Sequence, residues 1–365
     1  MYPYTFVEID DEKQDFIPIG LTNLGKYIYV NPILELLGGI KEFKDHFIKN
    51  GEDYTTKIEK NKSSLLSFVT NRLYKNFYYK EETKKKKLYN SKNFLKILNE
   101  LNKFLGSSEN TKLNDVLMFI LNQLHDENNN IQYKNSSFQK YNNRNLKEVI
   151  NNGIKYFKEN NNSIITSTLN FYLLQTLICP ECNNQYFEIK TFPTFELNIS
   201  YAYQKMMPSG NRIISLKDCL DNEKSSKDKS LKFYCDVCNS YRVSKEVNYQ
   251  FYKINDKIIF LLDRGEGFDD DNFPLNIIFK IESIIDLNEY MLNPNLSSKF
   301  VLTGIISLES KEKRFVCFSK SFMNDKWYLY LDESTEEKNC IEDILTEHND
   351  KWKYIPYVLM YSKIN

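Results

Sequence analysis

Two short knuckles, Cys179-Pro-Glu-Cys182 and Cys235-Asp-Val-Cys238, limit what this chain can fold into. A CxxC step puts two thiolates within reach of one tetrahedral ion at about 2.3 Å, and two such steps fill a closed four-cysteine site. The fold must therefore bring the knuckles together although 52 residues separate Cys182 from Cys235. That spacing exceeds a compact ribbon and implies a sheet between them. Each knuckle follows a strand-like segment, Leu173 to Ile178 and Leu231 to Tyr234, so the expected setting is a zinc ribbon at the tips of two β-hairpins. With four thiolates bound, zinc has no open position to activate water and acts as a structural cofactor. Cys219, Cys317 and Cys340 are left over and read as small buried hydrophobes.

Paired CxxC steps suit a reducing compartment, and Met1 to Asp10 show no basic-then-apolar signal pattern. The expected location is intracellular, cytoplasm or nucleus. No apolar run is long enough to span a bilayer, so no membrane association is expected. The 49 Lys+Arg balance the 49 Asp+Glu, which removes the broad positive footprint of a nucleic-acid binder, and no nucleic-acid partner is expected. Hydrophobic residues make up 41% of the 365, enough for a substantial core. Only three imidazoles, those of His46, His125 and His348, are available for acid–base chemistry.

Apolar residues recur at helical spacing through Ile33 to Leu37, Phe43 and Phe47, Phe94 to Leu98 and Val116 to Leu124, so the first third reads as mostly helical. The stretch from about Asn128 to Asn162 is polar and rich in Asn, Lys and Ser, and reads as a flexible or weakly helical insertion. The Lys84 to Lys87 run and the acidic Glu266 to Asp271 turn read as solvated surface. After Thr191 come β-branched and aromatic segments such as Ile258 to Leu262, Phe300 to Leu308 and Trp327 to Leu331. Helices first and antiparallel strands later give an α+β class, a single domain with lobes.

The segment Gly20-Leu-Thr-Asn-Leu-Gly-Lys-Tyr-Ile-Tyr-Val-Asn31 resembles the cysteine box of ubiquitin-specific proteases, GLxNLGNTCYMN. Further landmarks follow in the family's order: Leu117-Met-Phe-Ile-Leu-Asn-Gln-Leu-His125, Leu216-Lys-Asp-Cys-Leu220, the two knuckles, Phe300 to Ile306, Trp327 to Asp332 and Tyr357-Val-Leu-Met-Tyr361. The resemblance implies a papain-like cysteine protease superfamily fold, a hand with helical thumb, zinc-tipped β fingers and β palm. It also implies the boundaries: residues 1–18 an N-terminal extension, 19–127 the thumb, 128–162 the insertion and 163–365 the fingers and palm. The implied partner is ubiquitin, a ubiquitin-like modifier or another protein, cradled by fingers and palm.

Thiol proteolysis needs a thiolate, a base beside it and a group that orients the base. In the register of the resemblance the nucleophile position is Ile28, which cannot ionise. The family's GHYxxY strand aligns with Lys313-Arg-Phe-Val-Cys-Phe318, which sets Arg314, a permanent cation, at the base position. The third position, four residues beyond Trp327, is Leu331, while Asp332 is one place off and on the opposite strand face. Asn23 matches the residue that helps stabilise the oxyanion. Of the acidic QQDxxE segment, Thr111 to Asp115 keeps Asp115 and has Lys112 in place of another carboxylate, so Asp115 is the candidate contact for arginines of the ubiquitin tail. Pro32 cannot donate to the carbonyl of residue 28, so the helix after the box is expected to begin near Asn31 or to be kinked.

The expectation is a catalytically inactive ubiquitin-specific-protease-like chain serving as a ubiquitin-binding or scaffold module. An active cysteine deubiquitinase with a relocated site is the enzymatic alternative. A splicing scaffold ranks below both, since such relatives carry a separate N-terminal zinc finger and about 18 residues precede the box here.

Overall fold

The structure is a computed structural model that describes residues 18–25, 27–61, 65–78, 88–103, 105, 112–131, 144–206, 213–226, 231–264, 277–294, 298–349 and 353–364. Residues 1–17, Lys84 to Lys87, Thr111, residues 132–143 of the insertion and Glu266 to Asp271 lie outside the described residues.

The box opens with β1 (Gly20–Leu21) and runs into α1 (Val30–Gly38), all nine residues of which are buried. A helix buried all round sits inside a domain, and this one takes two polar side chains, Asn31 and Glu35, in with it. The thumb continues with α2 (Lys41–Lys49), α3 (Gly51–Asn61), α4 (Leu66–Tyr78), β2 (Leu88–Tyr89), α5 (Lys92–Leu101) and α6 (Leu113–Asn128). Phe47 of α2 and Tyr74 of α4 stack at 5.8 Å, and β1 pairs in parallel with β2. The helical first third is thus as expected.

Of the two readings of the insertion, flexible or weakly helical, its described C-terminal part takes the helical one. This part forms α7 (Leu146–Asn160), capped by the Asn145 side chain accepting from the Glu148 N–H. Among its many asparagines the helix carries Val149, Ile150 and Phe157 on one side, enough to bury Val149 and Ile150. Phe157 meets Tyr172 edge-on at 5.6 Å. Then follows the short α8 (Ile164–Thr168), whose Ser163 and Thr166 form a capping box.

The finger strands begin with β3 (Phe171–Ile178), which contains the Leu173 to Ile178 segment read as a strand from the sequence, and β4 (Gln185–Phe192). After β5 (Phe195–Asn198), α9 (Ile199–Met206), β6 (Ile213–Ser215), α10 (Leu216–Lys224) and β7 (Ser225–Ser226) come β8 (Lys232–Cys235), β9 (Ser240–Val243) and β10 (Val247–Ile254). The fingers are a four-stranded sheet in the order β4-β3-β10-β7, and β8 and β9 form a separate hairpin.

The palm is built from β11 (Lys257–Asp263), β12 (Ile278–Lys280), β13 (Ile284–Asp286), β14 (Lys299–Glu309), β15 (Arg314–Lys320), β16 (Trp327–Leu331), β17 (Ser334–Lys338), α11 (Ile341–Asn349) and β18 (Tyr354–Lys363). An eight-stranded sheet runs β17-β16-β15-β14-β18-β11-β5, with β13 on β14. Its pairs are antiparallel except β5 on β11. Both faces are covered. On β15, Phe315 and Cys317 join the thumb-side core while Val316 and Phe318 join the core on the other face, the two-residue alternation of a pleated strand.

Candidate functional site

At the finger tips, the first knuckle turns between β3 and β4 and the second between β8 and β9, as the spacing predicted. The four Sγ atoms of Cys179, Cys182, Cys235 and Cys238 lie within 4.8 Å of one another. Cys179 and Cys238 are 3.9 Å apart, and Cys182 and Cys235 are 3.6 Å apart. A tetrahedron with metal–sulfur bonds near 2.3 Å has edges of about 3.8 Å, so the cluster has the size of a zinc site, and these contacts are far too long for disulfides. Around it, the Tyr186 hydroxyl donates to Cys235 Sγ at 3.1 Å and to Asp236, and the Cys238 N–H reaches the same sulfur at 3.3 Å. Burial alone would raise the Cys235 thiol, but these donors outweigh it and hold it at about 6. Burial and the crowding of three other thiols push Cys238 up to about 12, a repulsion that a bound cation removes.

The box loop lies against the turn between β16 and β17. At Gly20 a Cβ would stand 2.4 Å from the Glu333 carbonyl oxygen, so only glycine lets the strand approach this closely. The Leu21 N–H donates to the Asp332 carbonyl at 2.7 Å. Gly25, at φ +63°, sits in the left-handed region, and its N–H donates to the Asn23 side chain at 2.7 Å. Asn31 is buried. Its amide donates to the Thr22 carbonyl at 3.0 Å and to Asp332 Oδ1 at 2.8 Å, and its oxygen accepts from Ser91 at 2.9 Å.

Ile28 is half-buried against the thumb-side core in the turn before α1. The helix begins at Val30, one residue before the expected start near Asn31. Few free N–H groups point back at position 28: Val30 donates to Tyr27 at 3.2 Å, Pro32 has no donor and Ile33 donates to Tyr29 at 3.3 Å. Tyr29 packs 5.0 Å from Phe315, which meets Tyr357 at 5.1 Å, and the Arg264 guanidinium stands over Tyr357 at 5.7 Å. Burial, with Tyr357 nearby, raises the Tyr29 hydroxyl to about 12, so it is protonated and is no base at neutral pH.

Arg314 opens β15 and is paired across the ladder with Glu309, its Nε 2.7 Å from Glu309 Oε2. Leu331 packs against the core on the other side of the palm. Asp332 corrects the strand-parity argument that turned it away from the cleft. Its φ of +51° takes it out of the alternation, and it faces the box, accepting from Asn31 and, at 3.2 Å, from Asn23. The carboxylate beside the box is therefore bound to two carboxamides. Asn23, matched to the oxyanion residue, spends its amide on that contact.

The three histidines are placed elsewhere. His46 of α2 bonds Asn128 at 3.0 Å and Tyr54 at 3.2 Å, and burial lowers its pKa. His125 of α6 bonds Ser163 at 2.7 Å. His348 falls in α11. Among the described residues no cysteine sulfur is hydrogen-bonded to an imidazole. Cys317 and Cys219 are buried, and burial raises both thiols. Asp115 is exposed in the first turn of α6, where the N-terminal dipole favours a carboxylate, and the neighbouring Asn114 reaches Glu196 of β5 at 3.4 Å.

The sequence matches the family described as ubiquitin carboxyl-terminal hydrolase over residues 19–361. This chain belongs to that family. Ubiquitin carboxyl-terminal hydrolase 7 of Saccharomyces cerevisiae is 27% identical over 226 residues, which is 55% of this chain and 20% of that protein. The chain thus spans about a fifth of the length of that curated relative. Among solved structures, the SAGA Ubp8/Sgf11/Sus1/Sgf73 DUB module bound to ubiquitin aldehyde matches with a TM-score of 0.63 at 18% identity, covering 95% of this chain and 70% of that one. The yeast SAGA DUB module with a mutant Sgf73 matches with a TM-score of 0.61, also at 18% identity, covering 95% and 68%. At such identity these likenesses speak for the fold: the ubiquitin-specific-protease hand of the α+β class, with its four clustered cysteines at the finger tips. Among the described residues no helix is long and apolar enough to cross a membrane.

Proposed function

We propose that this member of the ubiquitin carboxyl-terminal hydrolase family is a protein-binding module that holds ubiquitin, or a ubiquitin-like modifier, without cleaving it. The observation that carries the reading is the occupancy of the three family positions. Ile28 offers hydrocarbon where a thiolate is needed, Arg314 is a cation ion-paired to Glu309, and Leu331 faces the far core. The Ile28 side chain has no ionisable proton to give up, and the Arg314 guanidinium has no lone pair to receive one.

Zinc in the four-cysteine cluster acts structurally, fixing the β8–β9 hairpin to the β3–β4 turn. That hairpin exposes Tyr234, Val237, Tyr241 and Val243, an apolar surface of the kind that marks protein interfaces. Solved ubiquitin-bound relatives of the same fold support ubiquitin as the first partner to test. The setting is intracellular, cytoplasm or nucleus.

The test is a calorimetric titration of the zinc-loaded chain with ubiquitin. Saturable binding supports the reading. Absence of heat at high micromolar ubiquitin would favour a scaffold for another protein.

A further inference from the structure

Between thumb and palm lies a small pocket of about 10 Å³, roughly the room of one water molecule, lined by Ile19, Glu35 and Gly39 and by Tyr78, Ser319 and Tyr330 among others. Glu35, on α1, is 3% exposed, and neither of its carboxyl oxygens has a hydrogen-bond partner. Ser319 of β15 borders the same pocket, and its buried hydroxyl has none either. Gly39 leaves room for that hydroxyl: a Cβ there would stand 2.4 Å from Ser319 Oγ. A carboxylate stripped of water with no donor and no cation costs several kcal/mol, and a buried polar pair facing a small cavity is where proteins keep internal water.

We infer that this pocket is an internal hydration site, in which Glu35 is a neutral carboxylic acid and an ordered water joins it to the Ser319 hydroxyl. The water ties the helix after the box to the palm strand that carries Arg314. Of the titratable groups around the pocket, the Asp332 carboxylate favours the proton on Glu35, while Cys317 and Tyr330 of β16 keep their own protons because burial raises both. Tyr78 of α4 donates its hydroxyl to the Gly38 carbonyl, and the Lys44 ammonium of α2 stands over the Tyr78 and Phe322 rings at 5.2 and 5.7 Å. Burial, reinforced by Asp332, drives the Glu35 carboxyl well above the ordinary carboxylate range.

A group held protonated stabilises the fold fully below its unfolded pKa, and that stability is lost as pH rises through the folded value. The test compares the intact chain with Glu35→Gln and Ser319→Ala. Glu35→Gln keeps the shape of the acid and cannot ionise, so its melting temperature should match the parent at about pH 5 and exceed it by several degrees at about pH 8. The 13C carboxyl resonance missing in Glu35→Gln should sit at the protonated position at neutral pH, and a crystal structure should hold a water between Glu35 and Ser319 that Ser319→Ala loses. An ionised resonance at neutral pH, a pH-independent gap between parent and variant, or stabilisation of the parent by added potassium or calcium would overturn the inference. None of these readouts depends on ubiquitin binding.

Discussion

The Asn31 carboxamide donates to Asp332 at 2.8 Å across 301 positions of sequence, and Asn23 donates to the other oxygen of the same carboxylate at 3.2 Å. This clamp sets the box loop against the β16–β17 turn. It gives the Asp332 carboxylate a structural task, holding two amides instead of orienting a base, while the neighbouring Glu333 carboxylate accepts from the Asn23 backbone N–H at 3.3 Å.

Removing that carboxylate should cost stability and nothing in hydrolysis. Asp332→Ala leaves the buried Asn31 amide with the Thr22 carbonyl alone, a loss of about 1–3 kcal/mol that chemical denaturation would measure.

Restoring a thiol should not restore a protease. In Ile28→Cys the thiol would lack an imidazole. It would also have few free N–H groups beside it, because Val30 and Ile33 already donate to Tyr27 and Tyr29 and Pro32 has no donor. The variant is expected to release no fluorophore from a ubiquitin C-terminal reporter, and measurable turnover by it would refute this argument.

Loss of the metal should act through the fingers. Metal analysis should find about one zinc per chain, and Cys182→Ser or a strong chelator should remove it and lower the melting temperature. A chain purified without metal that melts at the same temperature would contradict the structural role.

Acid should weaken the thumb. His46 is neutral in a buried network with Asn128 and Tyr54, and its pKa lies below the ordinary 6.5. A depressed histidine contributes stability that is present above its unfolded pKa and lost as pH falls through the folded one. The melting temperature should therefore fall below about pH 6.5, and His46→Gln should flatten that fall.

Local signals carried the parts of this fold that depend on local spacing. The CxxC steps named all four clustered cysteines because two thiolates on one turn are a property of four adjacent residues. Palm strands such as Phe300 to Leu308 stood out because strands covered on both faces are apolar throughout. Helix α7 was obscured by its asparagines, although Val149, Ile150 and Phe157 kept a helical face. Asp332 was misjudged because strand parity ends where a residue adopts positive φ, as it does at +51°. The pocket at Glu35 was not legible at all, since Ser319 across the pocket is on another element and nothing in either local sequence records a missing donor.

The most direct test of the central claim is to incubate the zinc-loaded chain with ubiquitin bearing a C-terminal electrophile and to weigh the product by mass spectrometry. The account predicts unmodified chain at every time point, with none of its seven cysteines labelled. A single covalent ubiquitin adduct on any cysteine would show that a working nucleophile exists and would contradict it.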